Sequence, residues 1–193
     1  METSGLEAVI LAAGVGSRLG EVAGDGPKCL LDVGGKSLLE HQFEALRGIG
    51  VERVLVVAGH RADAVIEAVG DRGEVLINER YKETNSLYSL WMARRWISGN
   101  VMILNGDVLA APQIFAALRN AEGSVLAYDS CSGSEEEEMK VRFRFNRLQA
   151  ISKELRPELS HGESLGVLRF DAAGAGILLE AADQIIRAGR HKE

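Results

Sequence analysis

The sequence predicts an α/β fold: a Rossmann-like three-layer sandwich on a mostly parallel mixed sheet, with antiparallel additions in the C-terminal third. Three observations predict it. Short apolar runs alternate with amphipathic helical stretches over the first two thirds of the chain. The first apolar run delivers the chain into a cluster of glycines. Beyond Asp129, runs of strand character follow one another without long helices between them.

Taken in order, Ala8 to Ala12 is a buried strand that stops at Gly14. Ser37-Leu38-Leu39-Glu40 has the form of a capping box, and Leu39, Phe43 and Leu46 then recur at helical spacing until Gly48 and Gly50 end the helix. Arg53 to Ala58 is the second strand, Ala62 to Val69 a short amphipathic helix, and Glu74 to Ile77 the third strand. Thr84, Asn85 and Ser86 offer caps for a helix that carries Leu87, Tyr88, Leu90, Trp91 and Ala93. Val101 to Leu104 is the fourth strand, ending at Asn105-Gly106-Asp107. Gln113 to Asn120 is helical and Ser124 to Tyr128 is again a strand. Ser130 to Glu138 is small, polar and acidic, so it reads as an exposed, solvated loop. Met139 to Phe145, Leu148 to Ser152 and Ser164 to Phe170 read as strands, with Phe143 and Phe145 on one face of an amphipathic hairpin and Arg142 and Arg144 on the other. Gly176 to Ala188 returns to helix.

Length and charge bound the function. The 193 residues suit one domain, 1–193, with 46% apolar and 26% charged residues. A net charge of −6 argues against nucleic acid as a partner, which would need a basic face. It does not argue against a nucleotide, which needs only a few local donors and a metal. Cys29 and Cys131 form neither a metal spacing nor a disulfide framework, so a reduced, cytoplasmic setting is expected. No apolar run approaches the ~20 residues of a membrane span, and Met1 to Glu7 reads as a short, polar, acidic tail without leader character.

Three groups of residues carry candidate chemistry. In Leu11-Ala12-Ala13-Gly14-Val15-Gly16-Ser17-Arg18, a strand enters a loop whose glycines let backbone N–H groups approach phosphate oxygens, and Arg18 can hold phosphate through two parallel bonds. The same glycines also suit a tight turn. In Gly26-Pro27-Lys28, a second cation lies ten residues beyond Arg18, although a solvated surface lysine reads the same way. In Asn105-Gly106-Asp107, an acid stands beyond the carboxyl end of an apolar strand, where open α/β sheets place ligands and where it could hold Mg²⁺. It is equally good turn chemistry.

Together, Leu11-Ala12-Ala13-Gly14-x-Gly16-Ser17-Arg18, then Pro27-Lys28, then Gly34-Gly35-Lys36-Ser37-Leu38-Leu39-Glu40 resemble the nucleotidyltransferase superfamily of sugar-phosphate nucleotidylyltransferases. Tyr81 to Leu90 looks like the branch that contains phosphocholine cytidylyltransferases and enzymes acting on phosphonates or inositol phosphate. The resemblance implies transfer of a nucleoside monophosphate, with CTP favoured as donor, onto a small phosphorylated acceptor, with Mg²⁺ as cofactor. It implies that Leu11, Ala12, Ala13, Gly14, Gly16, Ser17, Arg18, Lys28, Asn85, Ser86 and Gly106 contact the nucleotide. Arg18 and Lys28 would do the catalytic charge stabilisation, and Asp107 would bind the metal. It places Lys153 against the acceptor phosphate and Glu163 on the acceptor strand, where a carboxylate would suit a cationic head group. A uridylyl- or guanylyltransferase on a sugar phosphate, or an inactive nucleotide-binding domain, keeps the same motifs. A homo-oligomer is left open. The sequence departs from the family in one respect: no C-terminal segment resembles its second metal-binding carboxylate after a tryptophan, and Asp171 and Asp183 are the only late aspartates. On that reading the chain is shortened, or another residue or subunit completes the site.

Overall fold

Alternation along the first strand generates the layers. The computed structural model describes residues 5–14, 26–133 and 135–190. In it, β1 (Glu7–Ala12) is buried on both sides. Ala8, Ile10 and Ala12 point into one apolar cluster, with Leu39, Phe43 and Leu46 of α1 (Leu38–Gly48), Val65 and Val69 of α2 (Ala62–Val69), and Phe115 and Leu118 of α4 (Pro112–Asn120). Val9 points the other way, toward Leu90 and Ala93 of α3 (Ser86–Ala93) and Ala175 of α5 (Ala172–Arg187). Each fully buried valine or isoleucine of this sheet contributes about 1.5–3 kcal/mol relative to exposure.

The parallel half consists of β3 (Glu74–Ile77), β2 (Val54–Ala58), β1 and β4 (Val101–Asn105), paired in that order. All four carboxyl ends therefore open on one edge. The strands beyond Asp129 add antiparallel as predicted, and the strand read at Ser124 to Tyr128 among the parallel units is antiparallel as well. β8 (Gly162–Phe170) runs against β5 (Val125–Asp129) on one side and, on the other, against β4 in its second half and β6 (Lys140–Arg144) at its start, and β7 (Arg147–Ser152) closes the hairpin with β6. The order is β3-β2-β1-β4-β8-β6-β7, with β5 also on β8.

The capping box is present. Glu40 N–H donates to Ser37 Oγ at 3.2 Å, and Ser37 N–H donates to the Glu40 carboxylate at 2.8 Å, which holds that carboxyl below its usual range.

Four sequence expectations change. The last helix begins at Ala172, not Gly176: the Asp171 carboxylate caps it by accepting from Gly174 N–H at 2.8 Å, a signal masked by the Ala-Ala-Gly-Ala-Gly run with no apolar period. Phe143 and Phe145 do not share a face. A bulge between Arg142 and Phe143 shifts the register, and Phe145 and Asn146 form the turn with φ of 50° and 56°, leaving Phe145 87% exposed. Glu7 is no part of a polar tail. It is buried within β1, where its carboxylate accepts from Ser98 N–H and Oγ, both at 2.7 Å, and pairs with Arg53. Finally, the Ser130 to Glu138 stretch is exposed as expected at Ser130, Cys131 and Glu135 to Glu137, but it also encloses a buried cation. Lys140 is buried, and its ammonium donates to the carbonyls of Glu135 at 2.8 Å and Glu138 at 3.3 Å. A buried ammonium needs such partners, so the acidic run is wrapped around it.

Two glycines let the strand ends close on one another. Gly106 N–H donates to Leu11 O at 2.9 Å, and a Cβ at Gly106 would stand 3.0 Å from Ala12 Cα. A Cβ at Gly59 would stand 2.7 Å from Ala13 O and from Tyr81 Cβ. Gly59→Ala is therefore expected to destabilise by about 1–3 kcal/mol through overpacking. Thermal unfolding should show a melting point lower by about 2–4 °C per kcal/mol. An unchanged melting point would mean that the β1 and β2 ends yield freely.

Candidate active site

The carboxyl ends of β1, β3 and β4, the start of α3 and one end of β8 surround a cleft of about 870 Å³. Its floor is Leu11, Ala12, Ala13 and Gly14 from β1 and the loop after it. One wall carries Lys28 and Cys29 from the short turn Lys28–Leu30, facing Asn105, Gly106 and Asp107 at the end of β4. A second wall carries Asn78, Tyr81, Thr84, Asn85, Ser86 and Ser89. The far end carries Glu137, Met139, Lys153, Glu163, Ser164 and Gly166.

Of the residues singled out from the sequence, Leu11, Ala12, Ala13, Gly14, Lys28, Asn85, Ser86, Gly106, Asp107, Lys153 and Glu163 all line this cleft. Gly16, Ser17 and Arg18 lie outside the described residues. Among the described residues, no atom lies within 4 Å of the place a Cβ at Gly14 would occupy. Gly106 spends its N–H on Leu11 O and offers close approach rather than a donor.

The electrostatics are set by a few groups. Lys28 Nζ lies 3.5 Å from the Asp107 carboxylate, with the aspartate side chain half-exposed to the cleft. Burial, with a smaller contribution from the nearby Asp107 charge, pushes the Cys29 thiol up to about 11. At the far end Lys153 Nζ donates to the Glu137 carboxylate at 2.9 Å, and the Glu163 carboxylate accepts from Ser132 Oγ at 2.8 Å.

A divalent cation fits this chemistry at one place. Asp107 offers a hard oxygen ligand opposite a polyphosphate-sized cleft, and Mg²⁺ is commonly held by one or two carboxylates together with substrate phosphates and water. Among the described residues no group of three or more His, Cys, Asp or Glu forms a metal cage. The two late aspartates are used elsewhere and do not line the cleft. Asp171 caps α5, and Asp183 accepts from Trp91 Nε1 at 2.9 Å. Those N–H donors, from Gly174 and from Trp91 respectively, hold both carboxyls below their usual range.

Sequence reading missed several residues of the cleft. Asn78 is buried and donates to Thr84 Oγ1 and Ser89 Oγ, both at 3.1 Å, fixing the wall before α3. Its signal was available: it is the polar residue directly after an apolar strand, as Asn105 is. Glu137 had no such signal, because only the fold of its loop brings it to Lys153.

A glycine at a strand end, with a lysine and an aspartate across a cleft at the carboxyl edge of a parallel sheet, places the candidate site where open α/β proteins bind their ligands. Residues 8–164 match the MobA-like NTP transferase domain, and the chain belongs to that family. It is 38% identical over 128 residues to the CMP-5′-(3-aminopropyl)phosphonate synthase of Streptomyces rubellomurinus, covering 63% of this chain and 20% of that protein. It is 33% identical over 105 residues to a UTP–glucose-1-phosphate uridylyltransferase of Haloferax volcanii, covering 53% of this chain and 43% of that protein. The chain thus spans less than half the length of these curated relatives. The fold matches the inositol-1-phosphate CTP transferase of T. maritima with a TM-score of 0.72 at 24% identity, over 97% of this chain and 83% of that one. No helix among the described residues is long and apolar enough to cross a membrane.

The two thiols should separate cleanly. With its thiol near 11, Cys29 holds little thiolate at pH 8, and it is buried, whereas Cys131 is exposed. Iodoacetamide at pH 8 is expected to label Cys131 within minutes and Cys29 only after unfolding, as read by peptide mass spectrometry. Rapid labelling of Cys29 in the folded protein would contradict the burial of the Lys28–Leu30 turn.

Proposed function

We propose that this protein is a cytidylyltransferase that moves CMP from CTP to a small phosphate or phosphonate acceptor and releases pyrophosphate. The observation that carries the reading is the convergence of Gly14, Lys28 and Asp107 on one cleft at the carboxyl edge of the sheet. The preference for CTP rests on the cytidylyl relative, which is the more identical of the two, and on the Tyr81 to Leu90 segment.

The residues divide the work by position. The Ala12 to Gly14 backbone, which lines the cleft, borders the phosphates. Lys28 neutralises negative charge that grows on the departing pyrophosphate, and Arg18 would join it. Asn85 and Ser86, at the start of α3, border the base and ribose, with Asn85 oriented by accepting from Tyr88 N–H at 3.2 Å. Asp107 would hold Mg²⁺, which supplies charge neutralisation on the polyphosphate when bound. Lys153 takes the acceptor phosphate at the far end. An acceptor oxygen then forms a bond to the α-phosphorus as the bond from that phosphorus to the pyrophosphate oxygen breaks. The acceptor is already an anion, so no general base is required, and the protein acts by alignment and charge.

Thermal melts with CTP, UTP, GTP, ATP and dTTP in the presence of Mg²⁺ test this directly. A ligand at 100 times its dissociation constant adds about 2.7 kcal/mol, a rise of roughly 5–10 °C at this size. CTP should give the largest shift. A larger shift with UTP would overturn the cytidylyl assignment and leave the transfer chemistry standing. No shift with any triphosphate would overturn both. Lys28→Ala should lower kcat for pyrophosphate release about 100-fold or more, with little change in melting point in the absence of nucleotide.

A further inference from the structure

The order of strands at the carboxyl edge restricts where the phosphorus under attack can lie. The Ala12 to Gly14 backbone leaves β1 at one end of the cleft, and Lys153 and Glu163 stand at the far end, after β7 and at the start of β8. An acceptor held at the far end meets a nucleotide on the β1 loop across the end of β4, the strand between β1 and β8. Asn105 to Val108 make that end, and all four line the cleft. They differ in what they can offer a phosphate. Gly106 N–H donates to Leu11 O at 2.9 Å and Val108 N–H to Asn105 O at 3.2 Å, while Asp107 presents a carboxylate. The carboxamide of Asn105 is the one side-chain donor of the turn.

Asn105 has a fixed backbone and an uncommitted side chain. Its carbonyl accepts from Gln42 Nε2 at 2.9 Å, and it stands opposite Leu11 in the parallel register of β1 and β4. Its side chain is exposed and makes no hydrogen bond among the described residues. Space for that side chain is kept by the neighbouring strand. Gly166 of β8 has a φ of 71°, with its N–H donating to Ser164 Oγ at 3.2 Å. A Cβ at Gly166 would stand 2.7 Å from Asn105 Nδ2 and 3.2 Å from Asn105 Cγ, so any side chain there would push the carboxamide from its place.

We infer that Asn105 binds the α-phosphate, with Nδ2 donating to a non-bridging oxygen of the phosphoryl group that is transferred. The inference rests on the transferase reading above. A neutral donor holds a phosphate oxygen without pairing with Asp107, as a further ammonium beside it would. Because its backbone is fixed before the nucleotide arrives, the bond forms with little ordering cost.

Titration calorimetry with Mg²⁺ and the tightest-binding triphosphate, CTP on the reading above, tests this without an acceptor. CMP and cytidine are then read by competition. Asn105→Ala should weaken CTP and CMP by the same factor, about 10-fold for a hydrogen bond to a charged group, and leave cytidine unchanged. Its melting point without nucleotide should equal that of the wild type. Gly166→Ala should also weaken CTP, and should add little to the loss when combined with Asn105→Ala, because the group it displaces is then gone. Unchanged CTP affinity in Asn105→Ala, a loss confined to CTP, or an equal loss for cytidine would overturn the assignment. A wild-type protein that binds no triphosphate of the panel instead marks failure of the transferase reading, so the two failures are distinguishable.

Discussion

The molecule turns on the close approach of backbone at the carboxyl ends of β1, β2 and β4. Gly106 donates its N–H to Leu11 O at 2.9 Å, and Gly59 lies where any side chain would strike Ala13 O. A parallel sheet leaves its strand-end N–H and C=O groups to be satisfied by the loops beyond it. Here they are satisfied by each other, as His60 N–H also donates to Ala13 O at 3.3 Å. Backbone packed this closely forms the floor of the cleft. Gly166 continues the constraint on β8: its φ is 71°, and a Cβ would stand 2.7 Å from Asn105 Nδ2. Residues placed on such a floor hold their positions without a reorganisation cost, which catalysis by alignment requires.

Charge is distributed over the cleft in pairs. Lys28 faces Asp107 at one end and Lys153 faces Glu137 at the other. Each cation is partly neutralised before any ligand arrives, so an incoming anion competes with a carboxylate instead of meeting a bare ammonium. Buried Gln42 ties α1 to this edge: its Nε2 donates to Asn105 O at 2.9 Å and Val108 O at 2.8 Å, fixing the turn that presents Asp107. The loop that carries Glu137 depends on a different device. Lys140 is buried in β6 with its ammonium inside a ring of carbonyls, so loss of the loop would leave a buried charge unpaired.

Much of this was legible from residues alone. Apolar runs of four to six residues read correctly as β1, β2 and β4, because strands buried on both faces carry no polar alternation. The Ser37–Glu40 box fixed the start of α1 because capping is a local hydrogen-bond exchange. Lys28, Asp107, Lys153 and Glu163, spread over more than a hundred residues, were named from motif and position and do meet at one cleft. The start of α5 was misplaced because its first turn, Ala172 to Ala175, has no apolar period to read. The hairpin face was misread because a β-bulge leaves no mark in simple alternation.

By itself, then, the sequence determined what depends on near neighbours: the strand and helix periods, the caps, the glycine-bearing strand ends and the family motifs. Only the tertiary structure decided what depends on distant partners. It buried Lys140 and wrapped the acidic run around it, drew Asn78 into the wall, spent the N–H of Gly106 on Leu11, and used Asp171 and Asp183 as a cap and a hydrogen-bond acceptor away from the cleft. It also set Glu137 against Lys153, sixteen residues on. The reason is physical: the free energy of a charged or polar group is set by what surrounds it after folding, and no local pattern records those surroundings.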